Sequence, residues 1–193
     1  MKRTLTLILI ATSLGVFAQR KTPKTLIDTD PEEISGFGAS LFSFMPIDGE
    51  LSTLTGGGGA VIFDNTFFIG GYGLGMSGDR KINVEGTDYT ANFGHGGFWL
   101  GYIMKPVEML HLGVETKLGW GEIKYKSAGL DPVNDKVFVF SPQLIGEVNL
   151  AYWFKMNAGV GLQKTIGVDE FYFDKSDFDG PTFSISLLFG WFK

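Results

Sequence analysis

The sequence predicts an all-β chain: an antiparallel, up-and-down transmembrane β-barrel of about eight strands. Three observations carry that expectation. An export signal opens the chain, strand-length segments alternate large apolar with small or polar residues, and aromatic residues gather where those segments end. Strand geometry sends successive side chains to opposite faces, so a period of two is a statement about faces.

At the N-terminus, Lys2 and Arg3 precede an apolar stretch from Leu5 to Phe17, and Val16-Phe17-Ala18 places small residues at a cleavage position. This is the order of a signal peptide. The apolar run is shorter than the roughly 20 residues of a spanning helix. The expected organisation is a signal peptide at 1–18, a polar lead-in at 19–35 with Pro23 and Pro31, and a barrel at 36–193.

Composition excludes several classes. The 28 glycines among 193 residues are about twice the average share of roughly 7%. With 44% hydrophobic and 19% charged residues, they belong to an ordered chain. Net charge is −5 without a basic patch, which argues against a nucleic-acid partner. The absence of cysteine removes disulfides, thiolate metal sites and a cysteine nucleophile.

Alternation is clearest in three segments. Phe138, Phe140, Pro142, Leu144, Val148, Leu150 and Tyr152 share one face, opposite Ser141, Gln143, Glu147 and Asn149. Leu110, Leu112, Val114, Leu118 and Trp120 lie opposite His111, Glu115 and Lys117, and Phe183, Ile185, Leu187, Phe189 and Trp191 alternate with Ser184, Ser186 and Gly190. Eight segments are expected near 36–45, 56–63, 66–78, 89–104, 109–125, 137–153, 156–165 and 182–192. Asp64-Asn65, 105–108 and Phe154-Lys155 read as tight turns, and 46–55, 79–88, 126–136 and 166–181 as longer links. Short turns at one end and long loops at the other, with an even strand number, are the pattern of a membrane barrel. Leu112 and Leu144 are then expected to face lipid and Gln143 the lumen. Tyr102, Trp120, Tyr152, Trp153, Trp191 and Phe192 read as interfacial girdles.

The signal peptide, the eight segments and the closing Ser186-Leu187-Leu188-Phe189-Gly190-Trp191-Phe192-Lys193 resemble small outer-membrane barrels of the OmpA and OmpX kind. The resemblance implies a Gram-negative outer membrane, contact with its lipid and lipopolysaccharide, and assembly machinery that reads the aromatic end of the last strand. Here Lys193 follows Phe192, a departure from an aromatic terminus. It carries no catalytic residue across.

The chemistry-bearing residues point away from catalysis. Gly56-Gly57-Gly58-Gly59 and Gly70-Gly71-Tyr72-Gly73-Leu74-Gly75 lack the helix and spacing of a phosphate cradle, and are read as curvature and room beside large rings. His95 and His111, the only histidines, are expected inside near Glu115 as polar filling. No catalytic residue, cofactor or metal site is expected. Glu115, Lys117, Gln143, Glu147, Asn149 and Gln163 form the expected interior polar cluster. Pairing 115 with 147 across a hairpin sets two carboxylates together with Lys117 as their bridge. Asp169, Phe171, Tyr172, Phe173, Asp177 and Phe178 mark the last long loop as a partner-contact surface. The function expected is structural or surface-interacting, with a small-solute or lipid transport barrel as the alternative and an outer-leaflet lipid-modifying enzyme behind both.

Overall fold

The computed structural model describes residues 34–84, 87–127, 133–168 and 176–192. The signal peptide and nearly all of the lead-in lie outside them. The strands are β1 (Ile34–Ile47), β2 (Glu50–Phe63), β3 (Phe67–Met76), β4 (Arg80–Val84), β5 (Thr87–Ile103), β6 (Leu110–Lys126), β7 (Val133–Ala151), β8 (Phe154–Ile166) and β9 (Gly180–Trp191). Every pairing is antiparallel, and each strand lies beside its neighbours in sequence except β3 and β4, which both pair with β5. β1 pairs with β9, and β3 with β5, which closes the sheet on itself. The short β4 prolongs β3 along β5 beyond residues 77–79, so the wall has eight staves. Among the described residues, closure gives every strand a partner on both sides except the short β4, which pairs with β5 alone. The barrel starts at Ile34, two residues into the expected lead-in.

Turn chemistry corrects the expected links. The 46–55 link is a two-residue hairpin: β1 runs to Ile47 and β2 starts at Glu50, joined by Asp48 (φ 49°) and Gly49 (φ 72°). Positive φ at both central residues is the primed turn whose twist suits a hairpin, and Asp-Gly favours it. Asp64 and Asn65 repeat the device at the other end, with φ of 51° and 54°. The last short turn is Tyr152-Trp153, so Lys155, expected in that turn, belongs to β8.

The two halves of the wall are built oppositely. On β6 to β9 many large apolar residues point out, with Leu112 61%, Leu144 64% and Leu162 63% exposed. Most of the inward positions are polar, with Ile123, Val139 and Ile145 among the exceptions. That half matches the expectation. On β1, β2, β3 and β5 many large residues point in: Phe37, Leu41, Leu54, Phe68, Tyr72, Leu74, Phe93 and Trp99 are all buried, while Ile69 and Phe98 point out. In register across their outer surface lie Ser40, Gly57, Gly73 and Gly96. The interior is thus mostly apolar on one side and mixed on the other, where Val139 and Ile145 lie among the polar groups. The polar lining expected from β6, β7 and β9 therefore does not extend around the bore.

Glycine makes this packing possible where a ring crosses the narrow bore. A Cβ on Gly58 would stand 3.3 Å from Cε3 of Trp99, and one on Gly101 would collide with the Phe68 ring. Phe37, Phe68 and Trp99 meet edge-on with centroids 5.3 to 5.6 Å apart. Such edge-to-face pairs are the preferred arrangement of aromatic quadrupoles. Phe37 on β1 and Trp99 on β5 are two staves removed from adjacency, so this contact spans the bore.

Candidate functional site

The interior ionic groups form two separate sets, with a polar ladder beside them. In the first, Lys117 donates to Oε1 of Glu115, its neighbour on the same face of β6, and Trp99 Nε1 donates to Oε2 at 3.1 Å. The Lys117 ammonium also stands 5.1 Å from the centre of the Trp99 ring. Both charged side chains are nearly inaccessible, at 1% for Glu115 and 4% for Lys117. A carboxylate so placed needs its donors, because isolated burial of charge is costly.

The second set lies at the short-turn end. Glu147 Oε1 accepts from Lys155 Nζ at 3.0 Å and stands 3.0 Å from His111 Nε2, while His111 Nδ1 lies 3.0 Å from the Glu108 carbonyl. Lys155 also covers the Phe192 ring at 4.5 Å. Phe192 therefore faces inward, stacked beside Phe37 at 6.2 Å, and leaves the expected girdle. Asn149 joins the second set only through the Glu108 carbonyl: its Nδ2 donates to the Pro106 and Glu108 carbonyls at 3.0 and 2.8 Å, tying β7 to the β5–β6 turn.

Register explains why the expected triad does not form. Glu115 lies opposite Gln143, and Glu147 lies opposite His111. The two carboxylates are thus one set apart, and Lys117 does not bridge them. Gln143 belongs to the ladder: it accepts from Ser184 Oγ at 2.6 Å and donates towards Thr182 and Ser141 at 3.3 and 3.4 Å. Gln163, nearer the loop end, donates towards the Phe178 carbonyl at 3.4 Å, which also accepts from Thr165 Oγ1 at 2.9 Å.

The two histidines do not act together. His95 lies opposite Gly121 and His111 opposite Glu147, so His111 approaches Glu147 and not Glu115. His95 Nδ1 shares a 2.8 Å hydrogen bond with the Tyr72 hydroxyl, and its ring stacks on Phe93. No serine hydroxyl is hydrogen-bonded to either imidazole among the described residues.

In the last long loop, Phe178 is not a surface contact. Its side chain is 1% exposed and meets Phe93 edge-on at 5.1 Å, inside the loop end of the barrel. The carbonyl of Asp177 accepts from the Asp48 amide at 3.1 Å, and Asp179 accepts from the Thr165 amide at 2.7 Å. Asp169, Phe171, Tyr172 and Phe173 lie outside the described residues. Sequence reasoning missed Lys155 and Trp99 as partners of the two buried acids. The signal for Lys155 was available: it falls on the inward parity of β8, two residues before Asn157.

No family model matches the chain, and no curated protein matches it. Solved structures do. Two crystal structures of Ail, the attachment invasion locus protein of Yersinia pestis, share 15% sequence identity with this chain. One covers 82% of this chain and 96% of its own, with a TM-score of 0.46. The other, in complex with the heparin analogue sucrose octasulfate, covers 81% and 93% with a TM-score of 0.42.

Proposed function

We propose that the chain is an outer-membrane β-barrel with a structural or surface-interaction role and no catalysis. The observation that carries this reading is the belt of exposed apolar side chains on a closed sheet. Leu112, Val114, Leu144, Val160 and Leu162 are 45–64% exposed, flanked at the short-turn end by Tyr102, Tyr152, Trp153 and Trp191. A contiguous patch of that kind is unfavourable in water and suits hydrocarbon with aromatic boundaries. Closure satisfies the backbone groups that a bilayer leaves without partners. The short turns would face the periplasm and the longer loops the exterior, where lipopolysaccharide and surface partners are met. The exposed aromatic end of β9 is the element offered to barrel-assembly machinery.

The packed bore favours this role over transport. The Phe37–Trp99 contact and the buried Glu115–Lys117 pair fill one level together, and Phe178 fills the loop end beyond them. The test is twofold. The mature chain should fractionate with the outer membrane and migrate differently on unheated gels. In planar bilayers it should conduct no steady current. Recovery from the periplasm without detergent would overturn the membrane reading, and reproducible channels would replace the sealed barrel with a transport one.

A further inference from the structure

Across β3 and β5 to β8 the outer wall carries an apolar groove of about 530 Å³. Its floor is low because the outward residues there, Thr116 and Pro142, are short, while Gly101 and Gly161 lie on the inward parity and present only backbone. Pro142 has no N–H to give, and the β7–β8 ladder skips from Phe140–Lys164 to Gln143–Gly161 at this level. The banks are Phe67, Tyr102, Leu144 and Val160.

The course of the groove follows from register. Phe67 opens β3, and Tyr102 stands one residue before the end of β5. Val114 is four residues into β6, Leu144 seven before the end of β7, and Val160 six into β8. Moving around the wall, the groove therefore climbs from the short-turn end. At roughly 3.4 Å per residue and a strand tilt near 40°, six or seven residues amount to about 16–18 Å. Half of a hydrocarbon core is about 15 Å. The groove thus runs from the boundary beside Tyr102 to about mid-bilayer, the path of a single acyl chain. Its volume agrees: a cavity of about 150 Å³ holds benzene, or ~25 Å³ per carbon, so 530 Å³ takes roughly twenty carbons.

We propose that this groove binds one acyl chain of a phospholipid from the leaflet at the short-turn end. The inference rests on the membrane reading above. The lining selects hydrocarbon and not a head group, because among the described residues no charged side chain forms a bank. An acyl chain reaches the groove without leaving the bilayer core.

The test is native mass spectrometry of the full mature barrel, inserted into vesicles and then released in mild detergent. The probes are palmitoyl-chain phosphatidylethanolamine and phosphatidylglycerol. One lipid should remain per barrel, for either head group. Thr116→Phe, which fills the floor, and Val160→Phe, which narrows the groove from its far bank, should each reduce retention at least tenfold. Leu187→Phe, outward on β9 opposite Met156 and four residues along from the Val160 level, should leave it unchanged. Heat-modifiable migration identifies folded variants, and either groove variant suffices if the other does not fold. Insertion without a retained lipid, equal retention in all variants, dependence on one head group, or dimer masses in place of the lipid would each overturn the proposal. Failure to insert at all would remove the membrane reading beneath it.

Discussion

The Glu115–Lys117 pair gives the sharpest quantitative expectation. Lys117→Met removes the ammonium and leaves the carboxylate, 1% exposed, with the Trp99 indole N–H still donating to it. Breaking a buried pair by removing one partner costs about 3–5 kcal/mol. Glu115→Gln strands the ammonium instead, but the Trp99 ring face stays beneath it at 5.1 Å, so its cost should fall at the lower end of that range. The double variant leaves no buried charge in this set, and the coupling between the two substitutions should be about 2–3 kcal/mol. Glu147 provides the control. It lies four residues beyond Gln143 on β7, and Gln143 is the register partner of Glu115. Four residues at about 3.4 Å place the second set some 14 Å away, a distance at which effects add. Glu147→Gln should therefore not relieve Lys117→Met. Urea unfolding of each variant in vesicles, followed by the gel shift of the folded barrel, measures all four quantities. Additivity within the 115–117 cycle would refute a coupled buried pair. Relief by Glu147→Gln would join the two sets and contradict the register.

Other perturbations read different parts of the wall. Leu144→Arg, on the exposed face, should cost about 2–4 kcal/mol in vesicles. Gln143→Arg should not be milder: the lumen there is packed, and Gln143 is 6% exposed among three hydroxyl partners. Gly73→Ala meets open space and should be neutral or stabilising by up to about 1 kcal/mol, whereas a Cβ on Gly70 strikes the Gly59 carbonyl oxygen and should cost about 1–3 kcal/mol. Phe178→Ala should cost about 3 kcal/mol in the same unfolding assay, and bilayers should still show no current because Phe37 and Trp99 close the bore below it.

What was legible in the sequence is what depends on parity alone. Outward Leu112 and Leu144, and inward Glu115, Lys117, Gln143 and Glu147, all follow from period two. What was not legible depends on register, which is fixed by where each turn sits. A β6–β7 pairing displaced by four residues separates Glu115 from Glu147 and hands each acid a different base. The Asp48-Gly49 turn was readable from its dipeptide, but the run from Leu51 to Gly59 lacks large alternating residues and resembles a loop. Lys155 was lost to a turn placed two residues late. Phe178 lies in an acidic, ring-rich stretch, and only its packing on Phe93 separates an inward anchor from an outward contact.

The inverted half of the wall accounts for the glycine that composition alone left unexplained. A small barrel has room inside for only part of the volume that eight alternating strands can supply. β7 to β9 meet this limit with Ser141, Asn157, Ser184 and Ser186 inside, all buried. β1 to β3 and β5 instead send Phe37, Phe68, Tyr72, Phe93 and Trp99 across the bore against those small groups. Rings from several strands cannot converge unless inward neighbours such as Gly58 and Gly101 yield. Rings mainly from one arc and hydroxyls mainly from the other, together with buried Val139 and Ile145, thus fill one narrow interior. The charges enter only where an aromatic partner meets them, Trp99 over Lys117 and Phe192 under Lys155. A polar lining for solute would need those ammonium groups to face water. Here each is committed to a carboxylate and to a ring, so the polar residues act as part of the packing.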